Sequence, residues 1–282
     1  MNLLYCGDKN IEQGLIISIL SLIKNVKEEV NIYILTVNLK YVDKTIEPVT
    51  DKVIEVLNDL VKEKNSKSNV KKIDITNMFE KEIPEVNMDT RFTPCCMLRL
   101  FADKIEEIPN KILYLDNDIV IRKDITEFYH QNIDQTEFAG VLDFYGRWFF
   151  RKNFFKFDYI NSGVLLLNIE EIKKTKLFEK ARKMCIEEKM FMPDQSALNK
   201  LAKNKKICQR KYNEQRRLKK DTVMQHFTTT FRLFPYFHHI TLKPWEIDRV
   251  HNEYKIFEYD DILKEYEKIY NTIKGENKWM II

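Results

Sequence analysis

Apolar positions along this chain switch repeatedly between short unbroken runs and helical spacing, and the switches mark out its elements. Residues 2–7 read as a short buried strand, followed by an apolar helix over 11–26, IEQGLIISILSLIKNV. NIYILTV, residues 31–37, is a second strand. From about residue 49 to 64, Val53, Ile54, Val56, Leu57, Leu60 and Val61 fall on one helical face. KKIDIT, residues 71–76, alternates as a third strand, and Pro94 opens a helix reaching to about Glu107, proline being favoured in the first turn. The run Ile112, Leu113, Tyr114, Leu115 is a strand without polar alternation, so it is buried on both faces. Two more strands lie at 137–143 and 159–168, then a long helix over 169–189 and a short one over 194–202. After about Asp248 a helical tail follows, with Ile256, Phe257, Ile262, Leu263, Tyr266 and Tyr270 roughly at helical spacing.

Alternating strands and helices predict a largely parallel, doubly wound α/β sheet. The expected organisation is one catalytic domain over residues 1–247 with a short tail over 248–282. In such sheets ligands sit beyond the carboxyl ends of the strands. Asp8 follows the first strand, and Asp116 and Asp118 end the buried one in ILYLDNDIVI. Bare carboxylates are costly to desolvate, so they persist beside a core only with a counter-charge, hydrogen bonds or a metal. Two aspartates two positions apart share a face of an extended chain, and a bend there aims both at one Mn²⁺ or Mg²⁺.

Composition narrows the class without naming it. Hydrophobic residues make up 44% and charged residues 32%, as in a soluble globular protein, and no run of about eighteen apolar residues exists. The start, MNLLYCGDKN, lacks the features of a signal peptide. Five cysteines, with Cys95 and Cys96 adjacent, suit reduced thiols in a cytosol. The expected location is cytoplasmic or at the inner face of a membrane. Net charge is +4, yet residues 200–220 carry ten Lys/Arg against the one acid Glu214, a local +9 that leaves the rest at −5. That acidity argues against a nucleic-acid partner. The basic block reads as a solvated loop or as a face for an anionic acceptor or membrane surface, and the terminal KWMII as a second candidate contact.

The six glycines form neither G-x-G-x-x-G nor G-x-x-x-x-G-K-[ST], so a glycine loop is not the clamp for any diphosphate. A carboxylate-held metal can take over that charge. D-N-D-I-V also fits the first motif of haloacid-dehalogenase-type phosphatases, in which Asp116 would be a nucleophile. Those enzymes usually carry the motif on their first strand and need a later G-D-x-x-x-D, which is absent here.

Six blocks in order resemble family 8 glycosyltransferases over roughly residues 2–245. The resemblance implies the GT-A fold, a Rossmann-like, mostly parallel sheet flanked by helices. LLYCGDKN then places Cys6, Asp8 and Asn10 around a nucleoside. Arg99, in RLFADKI, reaches the donor site, and Asp116, Asn117 and Asp118 form the metal motif and its neighbour. FAGVLD places Asp143 near the donor sugar, and NSGVLLLN places Asn161 against it. PDQSALN puts Asp194 on the sugar hydroxyls and Gln195 beside the anomeric carbon. KPW brings Lys243 to the diphosphate. The family's usual histidine, six residues before that lysine, is Phe237 here, so the expected third ligand is His226, in VMQHF, with His239 as the alternative. The implied reaction is Mn²⁺- or Mg²⁺-assisted transfer of a hexose, galactose or glucose first, from a UDP-sugar with retention. The implied acceptor is a surface polysaccharide, glycolipid or glycoprotein glycan. The aromatic stretch 144–159 is an acceptor-side candidate. A UDP-binding protein without turnover is the remaining alternative.

Overall fold

The buried strands are apolar throughout because both of their faces are covered. In the central strand Asn2–Cys6, Leu3 and Tyr5 join one core while Leu4 joins the other, and in Lys111–Leu115 Leu113 and Leu115 part from Ile112 and Tyr114 in the same way. The computed structural model describes residues 1–41, 44–89, 94–149, 158–232 and 238–275. Its main sheet has seven strands in the order Lys205–Cys208, Phe138–Leu142, Ile160–Asn168, Lys111–Leu115, Asn2–Cys6, Asn31–Thr36, Asn69–Asp74. All neighbours pair in parallel except Ile160–Asn168, which runs antiparallel to both strands beside it. This single reversal matters: it brings the start of that strand, Asn161–Gly163, to the carboxyl end of Lys111–Leu115, where the Asp116 amide donates to the Gly163 carbonyl at 2.8 Å.

Helices Glu12–Asn25 and Asp51–Lys64 cover one face, while Leu177–Glu187, Pro193–Leu201 and the stretch Pro94–Lys104 cover the other. The expected α-helix after Pro94 is a 3-10 helix that ends at Lys104. Its three-residue turn puts Cys96 and Arg99 in line, and the Arg99 Nε donates to the Cys96 carbonyl at 2.8 Å. The long helix predicted over 169–189 is broken into Ile169–Thr175 and Leu177–Glu187 by Lys176, whose φ of 58° is left-handed and whose amide closes the first helix on Ile172 and Lys173. The third strand begins two residues early, at Asn69, because it sits at the sheet edge and its register follows Asn31–Thr36 rather than its own alternation.

The tail contributes the helix Asp260–Lys274, whose Ile262, Leu263 and Tyr266 lie in the same core as Leu15 and Ile19. Tyr266 donates to Gln13 at 2.6 Å and Tyr259 to Gln225 at 2.8 Å. Tyr259 thereby braces a short strand, Met224–His226, that carries one of the site residues. Among the described residues no helix is long and apolar enough to cross a membrane. The terminal KWMII and residues 150–157 of the aromatic stretch lie outside the described residues.

Candidate active site

The strand carrying the two aspartates stops at Leu115, and the chain turns immediately: the Ile119 amide donates to the Asp116 carbonyl at 3.2 Å. A turn, and not an extended strand, therefore aims both carboxylates at one point. The chain then re-enters pairing as Ile119–Ile121, antiparallel to Met224–His226, with His226 opposite Ile119. That register sets the imidazole beside Asp118. His226 Nε2 lies 3.2 Å from Asp118 Oδ1 and 3.7 Å from Asp116 Oδ2. Asp116, Asp118 and His226 each offer a ligand atom, all within 4.8 Å of one another. His239 instead lies exposed on the Thr230–Arg232/His238–Ile240 hairpin, opposite Phe231. Phe237, where the family carries its usual histidine, is outside the described residues.

Each carboxylate has a cation behind it. Asp116 Oδ1 accepts from Tyr114 at 2.5 Å and from Arg99 Nη2 at 3.0 Å, and the Arg99 guanidinium stacks 3.8 Å over the Tyr114 ring. Lys243 Nζ donates to Asp118 Oδ2 at 2.6 Å. Burial alone would push Asp118 up, but Lys243 and His226 outweigh it and hold the carboxyl well below its usual range. The reverse holds for His226: burial lowers it, and the attraction of Asp118 and Asp116 overcomes that and raises it above its ordinary value. Lys243 is raised in the same way, chiefly by Asp118 against burial.

Arg99 is more enclosed than its expected reach to a donor suggests. Only 3% of its side chain is exposed, and its donors are taken by the Cys96 and Ser162 carbonyls and by Asp116, with Asp194 Oδ2 at 3.5 Å. It places a buried positive charge between Asp116 and Asp194. Cys6, also near Arg99 and Asp116, has its thiol pushed up by burial. Asp8 accepts from the Asn10 amide at 3.0 Å and from the Asn10 side chain at 3.1 Å, capping the turn that follows the first strand. Asn117 sits at the tip of the aspartate turn, against Gly14. A Cβ on Gly14 would overlap the Asn117 carbonyl and come within 2.7 Å of Trp245, so this helix approaches as closely as it does only because the residue is glycine.

A line of amides joins the histidine to the remaining site residues. Asp143 can only accept, and its Oδ2 takes hydrogen bonds from Asn161 Nδ2 at 2.9 Å and Gln195 Nε2 at 3.2 Å. Asn161 Oδ1 then accepts from Asn213 Nδ2 at 2.9 Å, which leaves Asn213 Oδ1 to accept from His226 Nδ1 at 3.1 Å. The polarity runs one way, from a carboxylate that only accepts, so the neutral form of His226 keeps its proton on Nδ1 and leaves Nε2 to face the aspartates. Gln195 is held at its other end by the Ser162 amide, 2.8 Å from Oε1. Asp194 is buried beside Arg99, and its Oδ2 has no hydrogen-bond partner. Asn213 was not found from sequence: it lies in the basic block, in KYNEQ, with nothing local to mark it. Replacing Asn213 with Ala is expected to weaken metal binding by about 10- to 100-fold, the usual cost of removing a ligand's orienting partner, as measured by Mn²⁺ titration.

The donor set of two carboxylates and one imidazole, with Asp118 Oδ1 buried and lacking a hydrogen-bond partner, fits a divalent cation. An α/β sheet with such a group at its carboxyl edge is the arrangement expected of a GT-A-fold glycosyltransferase. The solved structures it resembles include an active-site mutant of LgtC, with a TM-score of 0.67, 14% identity and 96% coverage of each chain. Galactosyltransferase LgtC in complex with donor and acceptor sugar analogues has a TM-score of 0.64, 15% identity and coverage of 95% and 96%. Residues 2–248 match glycosyl transferase family 8, and the chain belongs to that family. Among curated proteins, glycosyltransferase GlyA of Streptococcus pneumoniae is 36% identical over 111 residues, 38% of this chain and 15% of that protein. A Haemophilus influenzae protein named as a glycosyltransferase is 25% identical over 226 residues, 76% of this chain and 63% of that protein. The chain thus spans less than two thirds of either relative. Family membership sets aside the phosphatase reading of Asp116.

Proposed function

We propose that the protein is a retaining glycosyltransferase that moves a hexose, galactose or glucose, from a UDP-sugar to a glycan acceptor with the help of Mn²⁺ or Mg²⁺. The observation carrying this reading is the buried, unpartnered Asp118 Oδ1 within the Asp116–Asp118–His226 group. These three residues would hold the cation, and when bound it neutralises charge on the diphosphate as UDP departs. Lys243, beside Asp118, adds a second positive charge for the same oxygens. Asp194 and Asn161 orient the sugar, and Asp8 and Asn10, at the first strand end, face the nucleoside.

The residues around the anomeric carbon favour attack from the face that the UDP leaves. The Asp143 carboxylate is already saturated: besides Asn161 and Gln195 it accepts from the Tyr145 and Gly146 amides at 3.0 and 2.5 Å. Hydrogen bonds to all its lone pairs drain its nucleophilicity, and Gln195 is an amide with no charge to share. In this reading the acceptor hydroxyl oxygen bonds to the anomeric carbon as the bond to the β-phosphate oxygen breaks. The hydroxyl proton passes to that departing oxygen. Gln195 and Asp143 hold dipole and charge against the oxocarbenium-like centre.

A calorimetric titration of UDP with Mn²⁺ and then with EDTA tests the donor site. Binding that disappears with the metal supports it; binding in neither condition removes it. Release of UDP from UDP-galactose or UDP-glucose separates an enzyme from a protein that only binds.

Acidity adds a second check. His226, raised above 6.5 in the metal-free fold, stabilises that fold below 6.5, and the contribution is lost as pH climbs through its raised value. The cation needs the neutral imidazole, so its binding expels this proton, whereas Asp118 is already ionised. Mn²⁺ affinity is therefore expected to rise with pH, by up to about tenfold per unit, through the range in which His226 loses its proton, and to level off once His226 is neutral. Titrations in buffers of different ionisation enthalpy read the proton release. A pH-independent affinity would take His226 out of the ligand set.

A further inference from the structure

A cavity of about 620 Å³ opens beside the site, in the usual range for a bound small molecule. Its wall is continuous with the catalytic residues. Leu142, next to Asp143, lines it, and so does Asn213, which bonds both His226 and Asn161. Gln215 ties the two sides together, accepting from the Phe144 amide at 2.8 Å and donating to the Leu142 carbonyl at 3.0 Å.

Charge distinguishes this cavity from a generic sugar pocket. Four of its lining residues are cations, against the single carboxylate of Glu214. Part of the basic block is spoken for elsewhere: Lys200 pairs with Glu188, Lys205 with Asp158, and Lys211 with Glu127. Arg210 is matched by Glu214 and by Asp221, the latter at 2.7 Å. Of the four cations lining the cavity, Arg216, Arg217 and Lys219 remain, all exposed and, among the described residues, with no carboxylate partner. The Arg216 guanidinium lies 4.5 Å over the Phe144 ring, which fixes it at the rim and leaves its donors directed away from the ring. The cavity mouth thus gathers three cations with no carboxylate to neutralise them, while Arg210 beside them is paired.

We infer that this cavity is the acceptor subsite and that it takes a sugar bearing an anionic group, phosphate or carboxylate, held by Arg216, Arg217 and Lys219 while a hydroxyl faces Asp143 and Gln195. The inference rests on the glycosyltransferase reading and deepens it, since a neutral glycan has no use for three unpaired cations.

The test uses the full chain saturated with UDP and Mn²⁺, so that the donor's own phosphate site is occupied. Galactose 6-phosphate, galacturonate and galactose are titrated into it calorimetrically. Both charged sugars are expected to bind and galactose is not. The triple variant R216E/R217E/K219E should weaken the charged sugars by about tenfold or more, as expected for several partly exposed ion pairs. It should leave UDP binding and slow UDP release to water unchanged, because none of the three residues touches the donor-site group. The variant R216K/R217K keeps the charge and should restore binding. Phosphate binding without galacturonate would restrict the class to phosphorylated acceptors. Equal binding of charged and neutral sugars, no binding of either anion, or anion binding that survives the triple reversal would overturn the inference. Failure of UDP itself to bind would instead overturn the reading beneath it.

Discussion

Replacing Asp118 with Asn is expected to abolish metal-dependent UDP release, by at least about 10³-fold in kcat/KM, while the protein still folds. The substitution keeps the side-chain volume and removes the charge of a carboxylate whose buried Oδ1 has no hydrogen-bond partner. It also strips Lys243 and His226 of the carboxylate that holds both above their ordinary values. Lys243 and His226 would then face each other across a neutral amide, so the variant should bind Mn²⁺ poorly at any pH. Circular dichroism on heating checks the fold: the main core lies behind Leu115 and contains none of these groups. Activity surviving in Asp118→Asn, at full Mn²⁺ saturation, would remove the metal assignment. Asp116→Asn should act in the same direction, with an added cost because the buried Arg99 Nη2 then faces a neutral amide in place of a carboxylate.

The second large effect is expected from a single methyl group. In Gly163→Ala the new Cβ would overlap His226 Cε1 and lie 2.8 Å from Asp116 Oδ2. Neither neighbour can yield without leaving the group. His226 is pinned by Asn213 behind it and by the strand pairing with Ile119, and Asp116 by Tyr114 and Arg99. Overpacking of this kind costs about 1–3 kcal/mol in stability. The larger loss should be in metal affinity, by about 100-fold, because displacing either ligand breaks the 4.8 Å cluster. Denaturant unfolding and Mn²⁺ titration of the same variant separate the two. A variant with normal affinity and unchanged stability would mean that the histidine approaches the aspartates less closely than described here.

Much of this site could be read along the chain, and particular residues explain why. Asp116 and Asp118 were visible because a run of four apolar residues ending in two carboxylates is a local contradiction that only a ligand or counter-charge resolves. Helix Asp51–Lys64 was visible because its face alternates between core and water. The uninterrupted helix over 169–189 was not broken in advance, because a lysine at φ 58° carries no local signal; glycine would have. The basic block was legible as charge, but its division into paired and unpaired cations was not, since Glu188, Asp158 and Glu127 reach it from elsewhere in the chain.

By itself the sequence determined the sandwiched α/β sheet, the family and the pair of aspartates, because burial on two faces and a motif at a strand end are written in neighbouring residues. Only the tertiary structure set His226 rather than His239 beside the two aspartates, put Asn213 behind its ring, left no room for a side chain at Gly163, and brought three cations to one cavity. Each of these depends on a strand register or a packing distance between segments far apart in the chain. Such pairings are chosen by the fold as a whole, so no local pattern of residues contains them.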